Sequence, residues 1–454
     1  MSRTKGSWVR SSCVAVAFPL VLLPLVAAAQ VVVQGTGDAA IDVPAVQAAV
    51  DQGGSVRLVG RFDFGDTGRV LLHRDVEILG ETDSTGSPLT KIVGGDWPQY
   101  SPLPTVTPPT APGPKVTVAN IDFEGAKGVA IHLTYTGGAS IRNNRVTGMR
   151  GREFAPNTFR RSGVLIGPID SRPRNNIEIT PLLVSGSIEV IGNYVDSSGM
   201  EPPTRTNGGA VFMAFLRGAD VRIKDNVSVG CTRNCIIVTD ALGDEAGRGS
   251  VLIAGNTVVS DVKQGFLGPG PRAPVGIDVS QTFNRTLALD PNMQHIPTLI
   301  ADNYVELNGE TAVGISAALN GTVIQGNTAV IHADAAKVDL LSGGITVGTS
   351  HFVVFQNTVM GEASSGIRIG GNALGLPRIN NVLKANNITK MSPFRAHVLL
   401  DVAAQHNTIV GHTGTVIDGG TDNAITGFMP VQGGVGQAVS DAEQFWHDVT
   451  EILE

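Results

Sequence analysis

The 454-residue sequence predicts an all-β fold, a right-handed parallel β-helix in which short strands stack as the coils of a solenoid. Two recurring patterns lead to this prediction. A short apolar strand ends repeatedly in asparagine, and a second apolar strand, opened by glycine, lies between these asparagines. The recurring asparagines are Asn144, Asn193, Asn226, Asn256, Asn303, Asn327, Asn357, Asn387 and Asn407.

The spacing of these asparagines indicates stacked coils. The step is 30 residues from Asn226 to Asn256, from Asn327 to Asn357 and from Asn357 to Asn387. At one fixed place in each coil, we expect the amide to point inward and to hydrogen-bond its counterpart in the next coil, which offsets the cost of burying it. An antiparallel sandwich is the main alternative. It would need hairpin turns of about two to five residues, and its repeats would not share one register.

The glycine-opened strands are expected to form one sheet with an outward face. Period-two alternation places Val164, Ile166, Ile345 and Val347 inward. One outward row then holds Ala130, Leu165, Phe212, Ile237, Asp278, Ser316, Thr346, Arg368 and Leu399. A second outward row holds His132, Gly167, Ala214, Thr239, Ser280, Ala318, Gly348, Gly370 and Asp401.

Both ends of the solenoid are expected to be covered by helices, because bare strand edges invite further pairing. Residues 30–54 hold an amphipathic stretch in which Asp42 could cap and Pro44 lies in the first turn. Residues 55–428 form the β-helix, including a proline-rich loop at 97–114. Residues 429–454 form a linker and a capping helix, which Ser440 and Glu443 open as a capping box.

Residues 1–29 resemble a cleaved secretory signal. Arg3, Lys5 and Arg10 precede an apolar run that ends in three alanines. A membrane anchor is the alternative, but Pro19 and Pro24 interrupt the run, which is shorter than the roughly 20 residues of a span. We therefore expect a secreted or periplasmic protein without a membrane segment after cleavage.

Composition narrows the classes of partner and leaves two states open for the cysteines. The net charge of −7 argues against nucleic-acid binding, which favours a basic surface. Cys231 and Cys235 lie four residues apart on a predicted turn. An exported protein meets an oxidising compartment, so a small disulfide loop and two buried thiols both remain open.

The helix-then-strand start and the asparagine coils resemble the pectate-lyase-like right-handed β-helix superfamily, over about residues 40 to 428. The resemblance specifies the fold and leaves the function open, because the superfamily includes lyases, hydrolases, epimerases, binding modules and adhesins. The motif set of the polygalacturonase branch and the Asp-Pro-His-Asp of the epimerase branch are not found in this sequence.

Long loops are expected on both sides of the glycine-opened sheet, and together they would form a groove. Seven arginines lie between residues 145 and 174 of an otherwise acidic chain, and arginine matches a carboxylate with two hydrogen bonds. We therefore predict an acidic polysaccharide as ligand. The alternative is that the arginines pair with local acids. The predicted substrate-binding residues are Arg152, Arg161, Asp170, Asp278, Trp97 and Tyr100.

The resemblance also implies a reaction. Superfamily lyases often use arginine or lysine as the base for elimination at a uronate, with calcium or another cation on the carboxylate. The candidate catalytic residues are then Arg160, Arg172, Arg174, Arg368 and His132. A non-catalytic glycan-binding or surface-adhesion solenoid is the second hypothesis, and the sequence leaves the metal and the oligomeric state open.

Overall fold

The computed structural model describes residues 30–95, 99–100, 113–150, 152–155, 158–167, 184–198, 205–232, 234–244, 246–261, 267–268, 270–271, 274–280, 296–309, 312–332, 342–370, 378–389, 396–412 and 416–426. These residues form one helix and short strands stacked in three parallel sheets. The right-handed parallel β-helix predicted from the sequence is confirmed.

The front sheet consists of the glycine-opened strands and those above and below them. Each strand pairs in parallel with the strands of the adjacent coils. Its members are β4 (Leu71–Leu72), β7 (Gln99–Tyr100), β10 (Val129–Leu133), β14 (Thr158–Ile166), the first half of β17 (Arg205–Lys224), β19 (Asn234–Leu242), β24 (Val275–Ser280), β27 (Val313–Ala317), β30 (Gly343–Val347), β33 (Ser365–Ile369), β37 (Val398–Leu400) and β40 (Val416–Asp418).

The second sheet holds the strands that precede the asparagine turns. The long strand β17 runs through both sheets, so the front and second sheets share one hydrogen-bonded set. Besides the second half of β17, its members are β1 (Val31–Gln34), β2 (Gly54–Val59), β5 (Val76–Leu79), β8 (Lys115–Ala119), β11 (Gly138–Arg142), β15 (Val184–Ile191), β20 (Ser250–Ala254), β25 (Thr298–Ala301), β28 (Thr322–Gln325), β31 (Val353–Phe355), β35 (Val382–Lys384), β39 (Thr408–Val410) and β41 (Ala424–Thr426).

The third sheet follows the asparagine turns and closes each coil. Its members are β3 (Arg61–Asp63), β6 (Thr90–Val93), β9 (Ile121–Glu124), β12 (Arg145–Thr147), β16 (Tyr194–Asp196), β18 (Val227–Val229), β21 (Thr257–Ser260), β26 (Tyr304–Asn308), β29 (Thr328–His332), β32 (Thr358–Glu362) and β36 (Asn387–Thr389). Three further pairs lie outside these sheets or extend them. They are β13 (Arg152–Ala155) antiparallel to β14, β22 (Leu267–Gly268) with β23 (Gly270–Pro271), and β34 (Arg378–Ile379) with β38 (Ala404–Gln405).

The core is a stack of aliphatic side chains from all three sheets. In the second sheet, one inward position per coil is filled by buried residues in register, as period-two alternation predicts. These residues are Ile78, Val118, Ile141, Val190, Ile223, Ile253, Ile300 and Ile324. Strands about 4.8 Å apart thereby bury a continuous apolar column that no single coil could form.

The predicted asparagine ladder is present in eight consecutive coils, with one correction at its lower end. Each side-chain amide donates to the amide oxygen of the next asparagine, for example Asn256 Nδ2 to Asn303 Oδ1 at 2.9 Å. The sequence placed Asn387 in this ladder. The ladder instead continues from Asn357 to Asn386, whereas Asn387 lies exposed at the start of β36.

Asn407 was also assigned to the wrong ladder. It accepts a hydrogen bond from Asn381 Nδ2 at 2.8 Å and donates to Asn423 Oδ1 at 2.9 Å. These three asparagines lie just before strands β35, β39 and β41, whereas the asparagines of the first ladder lie just after the strands of the second sheet. Counting from the Lys384–Val410 pair, the position below Asn386 in the first ladder is taken by His412, which is buried.

The turn before each ladder asparagine passes through the left-handed region. Glycine fills this place in several coils, with φ of 66° at Gly255 and 64° at Gly326. In other coils the residue carries a side chain, with φ of 54° at both Gln356 and Ala385. A left-handed residue with a Cβ costs about 1 to 2 kcal/mol. The turn therefore has the same shape in these coils, but its backbone is strained there.

The N-terminal helix α1 (Ala39–Val50) begins before the predicted cap Asp42, and its cap is Asp38, whose carboxylate accepts from Ala40 N. Asp42 is therefore not the cap, and Pro44 falls inside the helix rather than in its first turn. Asp42 is buried and accepts from the backbone N–H groups of Thr36, Gly37 and Asp63. The predicted cap region also contains strand β1, which pairs with β2. The predicted signal (1–29) and C-terminal helix (429–454) lie outside the described residues.

Candidate functional site

The outward face of the front sheet carries one continuous row of side chains along the solenoid. Strand register places these residues side by side, one per coil, at about 4.8 Å steps. From the upper coils downward the row is His132, Leu165, Phe212, Ile237, Asp278, Ser316, Thr346, Arg368 and Leu399. Its middle is apolar, and the four places from Asp278 to Arg368 are polar.

His132 belongs to this row, which corrects its predicted place in the second outward row. It pairs with Leu165, because Ala130 is the residue opposite Gly163 in the next coil. His132 is buried, and its Nε2 lies 3.3 Å from the carbonyl oxygen of Gly167. Seven coils separate His132 from Arg368, about 34 Å, so these two candidate catalytic residues cannot act on one bond.

Arg368 is held in an ion pair on the outward face. Its Nη2 donates to Asp401 Oδ2 at 2.9 Å, and its Nε donates to Oδ1 at 3.3 Å. Asp401 lies one coil below and reaches up beside Gly370, where a Cβ would stand only 1.9 Å from Asp401 Oδ2. Gly370 therefore provides the space through which the carboxylate meets the guanidinium.

A second guanidinium, that of Arg378, approaches the same carboxylate. Arg378 lies on β34 and is buried, with 4% of its surface exposed. Burial lowers the pKa of Arg378, the carboxylate of Asp401 opposes this shift, and the cation of Arg368 adds to it. Arg368, Arg378 and Asp401 thus lie close enough to influence one another, and we call these three residues the arginine cluster.

Asp278 lies three coils above Arg368, about 14 Å away along the row. Its Oδ2 accepts from Asn234 Nδ2 at 2.7 Å, so the carboxylate is fixed on the outward face. The separation from Asp401 is four coils, which exceeds the spacing of about 5 to 10 Å between the two carboxylates of glycoside hydrolases. Asp278 and Asp401 therefore do not form a hydrolytic pair.

Between Asp278 and Arg368, two hydroxyl groups lie buried beside Gly343. A Cβ on Gly343 would stand 3.4 Å from Ser365 Oγ and 3.5 Å from Thr346 Oγ1. Neither hydroxyl has a hydrogen-bond partner within the described part of the chain. An unpartnered buried hydroxyl costs about 1 to 3 kcal/mol, so this pair is a costly feature of the face.

The structure describes only part of the predicted arginine-rich rim. Arg152 lies opposite Arg160 in the β13–β14 hairpin, and Arg161 pairs with Gly208 of β17. This hairpin enters the front sheet six coils above Arg368, so the rim and the arginine cluster are separate regions. Tyr100 pairs with Leu72 in the backbone. The remaining predicted site residues, Trp97, Asp170, Arg172 and Arg174, lie outside the described residues.

The described residues offer no metal site. They contain no group of three or more His, Cys, Asp or Glu side chains placed to hold an ion, so calcium has no identified ligands in the described coils. Cys231 and Cys235 form a disulfide, which decides between the two states left open by the sequence. No helix in the described ranges is long and apolar enough to cross a membrane.

Sequence reasoning missed the partners of the residues it selected. Asp401 was assigned to an outward row, but its pairing with Arg368 was not anticipated. The signal was available, since Asp401 lies two residues beyond Leu399, which pairs with Arg368. Arg378 and Asn234 gave no comparable signal, because Arg378 lies on the short separate strand β34 and Asn234 opens β19, and neither is a position of the sequence repeat.

The comparisons with known proteins bear on the fold and indicate no function. No family model matches the chain. No curated protein matches it. The solved structures that resemble it include the Dettilon tailspike protein, 14% identical with a TM-score of 0.40 over 87% of this chain and 68% of that chain.

Two enzymes are also among the structures found. DFA-IIIase from Arthrobacter chlorophenolicus A6 is 13% identical, with a TM-score of 0.48 over 88% of this chain and 96% of that chain. The A-module of a mannuronan C-5 epimerase from Azotobacter vinelandii is 13% identical, with a TM-score of 0.36 over 88% and 98%. At these values none of the three indicates a substrate for this chain. The parallel β-helix that the resemblance implies is confirmed by the strand pairing of this chain.

Proposed function

We propose that the outward face of the front sheet binds an acidic polysaccharide. The arginine cluster carries this proposal, because two guanidinium groups meet one carboxylate beside the outward row. A planar guanidinium matches a carboxylate or a sulfate with two parallel hydrogen bonds. A ligand anion would replace the carboxylate of Asp401 on Arg368, and Arg378 would place a second cation nearby.

The rest of the row suits an extended sugar chain. The row runs along the solenoid from an apolar part, in which Phe212 is partly exposed and Leu165 and Ile237 are buried, to the polar stretch below. Sugar rings have apolar faces and polar edges, so such a surface can contact both. Asp278, fixed by Asn234, is placed to accept hydrogen bonds from sugar hydroxyls.

The rim residues remain part of the proposal. Arg152 and Arg160 are backbone partners in the hairpin that leads into the front sheet, and we propose that this hairpin adds a second cationic region for a long polyanion. We include Arg161, Asp170, Arg172, Arg174, Trp97 and Tyr100 in this region on the sequence prediction alone.

Cleavage by β-elimination is the second candidate function, and the environment of Arg378 favours it. Elimination at a uronate needs a base near the C5 proton and positive charge near the carboxylate. Arg368 would neutralise the carboxylate. Arg378 adds a second cation near this position, which would support the negative charge that develops during elimination. A non-catalytic glycan-binding or adhesion solenoid would use the same cluster for binding alone.

We further propose that the chain is exported to a secreted or periplasmic location. The basic and apolar N-terminal segment supports export. The Cys231–Cys235 disulfide is consistent with an oxidising compartment.

The binding proposal is tested by titrating the chain with pectate, alginate, hyaluronan and chondroitin sulfate, each with and without calcium. We expect at least one of them to bind, and Arg368→Ala to weaken that binding about 10- to 100-fold, the equivalent of about 1.5 to 3 kcal/mol for a charged hydrogen-bonded pair. Arg222→Ala is the matched control, since Arg222 is an exposed arginine on the second sheet. Absence of binding to all four glycans would refute the proposal.

The same mixtures separate the two candidate functions. A lyase forms an unsaturated uronate that absorbs in the ultraviolet, and the absorbance would rise with wild-type protein and not with Arg378→Ala. Binding without any rise in absorbance would identify the non-catalytic solenoid.

A further inference from the structure

A second concave surface lies on the outward face of the second sheet, in the upper coils. It is a groove of about 630 Å³ that crosses the five neighbouring strands β2, β5, β8, β11 and β15. This volume lies within the range of about 300 to 1,000 Å³ that is typical of small-ligand sites. None of the front-sheet residues discussed above lines it, so it is separate from the proposed polysaccharide face.

The outward side chains of the groove form their own row, with one residue per coil. Strand pairing fixes their order, and each step is about 4.8 Å. The row is made of three hydroxyl residues and two carboxylates, namely Ser55, Glu77, Thr117, Ser140 and Glu189. Hydroxyl groups, which donate and accept hydrogen bonds, and carboxylates, which accept them, therefore both occur along the groove.

Glycines at the edge of this row leave the backbone open to a ligand. Gly137, Gly138 and Gly186 line the groove where the neighbouring coils turn into their strands. A Cβ on Gly138 would stand 3.5 Å from Lys115 Cγ, so the aliphatic stem of Lys115 lies along this glycine. The floor is consequently low and largely hydrocarbon, and the flat face of a sugar ring could lie against it.

The charges of the groove differ from those of the arginine cluster. Asp75, Glu77 and Glu189 are negative, whereas Lys115 is positive. Arg142 neutralises Glu189 through an ion pair at the groove edge. The excess charge is therefore slightly negative, which disfavours a polyanion, while the carboxylates can accept hydrogen bonds from uncharged hydroxyls.

From this lining we infer that the groove binds a neutral oligosaccharide. The ring faces lie on the glycine floor beside Lys115, and the ring hydroxyls donate to Glu77 and Glu189 and exchange hydrogen bonds with Ser140 and Thr117. The site is independent of the acidic glycan on the front sheet. The protein would thus hold two chemically different glycans on two faces of one solenoid.

Calorimetric titration of the full chain with cellohexaose and with maltohexaose tests this inference. We expect at least one of these neutral hexasaccharides to bind. Thr117→Trp fills the middle of the groove and should weaken binding at least tenfold, a loss of about 1.4 kcal/mol or more. Glu77→Gln leaves the shape unchanged but weakens an acceptor, so a loss of about 3- to 10-fold is expected.

Arg222→Trp is the matched control, because Arg222 follows Glu189 in the same outward row but lies outside the groove. This variant and Arg368→Ala should both bind the hexasaccharide as wild type does, and polygalacturonate should not compete. Far-ultraviolet circular dichroism checks that each variant is folded. The inference is overturned if neither hexasaccharide binds, if Arg222→Trp weakens binding as much as Thr117→Trp, or if Glu77→Gln has no effect.

Discussion

Replacement of one ladder asparagine should destabilise the solenoid far more than its size suggests. Asn303 is buried, and its Nδ2 donates to Ile253 O at 2.9 Å and to Asn327 Oδ1 at 2.9 Å. Its Oδ1 accepts from the backbone N–H of Asn256 at 3.0 Å and from Asn256 Nδ2 at 2.9 Å. Asn303→Ala removes all four hydrogen bonds and leaves the buried backbone N–H of Asn256 without its partner, whereas Asn256 Nδ2 keeps its bonds to Ile223 O and Ala254 O.

The expected loss follows from these contacts. Each hydrogen bond contributes about 0.5 to 1.5 kcal/mol, and an orphaned buried group costs about 1 to 3 kcal/mol. We therefore expect Asn303→Ala to lower the free energy of unfolding by about 3 to 5 kcal/mol. The assay is urea unfolding followed by circular dichroism, analysed with the denaturant slope as a check, because a solenoid can unfold in parts.

Asn387→Ala is the matched control, since Asn387 has the same chemistry but is exposed and outside the ladder. Its unfolding free energy should stay within about 0.5 kcal/mol of wild type, as for ordinary surface changes. If Asn303→Ala unfolds at the same urea concentration as Asn387→Ala, the hydrogen bonds of the ladder do not stabilise the coils.

Three further changes test other parts of the fold. Ala385→Gly relieves a side chain held at φ 54°, so we expect a gain of about 0.5 to 1 kcal/mol in urea unfolding. Asp42→Ala removes the acceptor of three backbone N–H groups and should cost about 3 to 5 kcal/mol in the same assay. His412 is buried in a ladder position, and burial, then the charge of His397, lowers its pKa below the ordinary 6.5. The contribution of neutral His412 to the free energy of unfolding is therefore complete above pH 6.5. It declines as the pH falls through the lowered folded-state pKa.

Each of these has an outcome that would contradict it. Equal stability of Ala385→Gly and Ala363→Gly, a change at a residue without positive φ, would mean that the left-handed turn carries no strain. If Asp42→Ala is as stable as wild type, the hydrogen bonds that Asp42 accepts do not stabilise the N-terminal end. His412→Asn should lose this acid-sensitive contribution in melting curves measured from neutral to acidic pH, and an unchanged pH dependence would exclude His412 as its source.

The repeat made the fold predictable, because an amide at one fixed place per coil implies stacking in register. Its errors arose where the local sequence permits two registers. Asn386 and Asn387 are adjacent, and the turn at Ala385 decides that the first of them points inward. His132 was displaced because Gly128 opens its strand two residues earlier than Gly163 opens the next.

The candidate site was predictable only as a surface. Asp278 and Arg368 were placed in one outward row by period-two alternation, and the strand pairing confirms this. The contacts that give the site its chemistry involve residues that the sequence repeat does not mark. Asn234 beside Asp278, Arg378 beside Asp401 and the glycine that admits Asp401 all belong to this class.

The claim that Arg368 receives a ligand anion in place of Asp401 is tested most directly by two variants with opposite expected effects. Asp401→Ala removes the competing carboxylate, so the acidic glycan that binds wild-type protein should bind this variant more tightly in a calorimetric titration. Arg368→Ala removes the receptor and should weaken the same binding about 10- to 100-fold. Weaker binding by both variants to the same degree would contradict the account, since it would show that the ion pair supports the fold and does not exchange with a ligand.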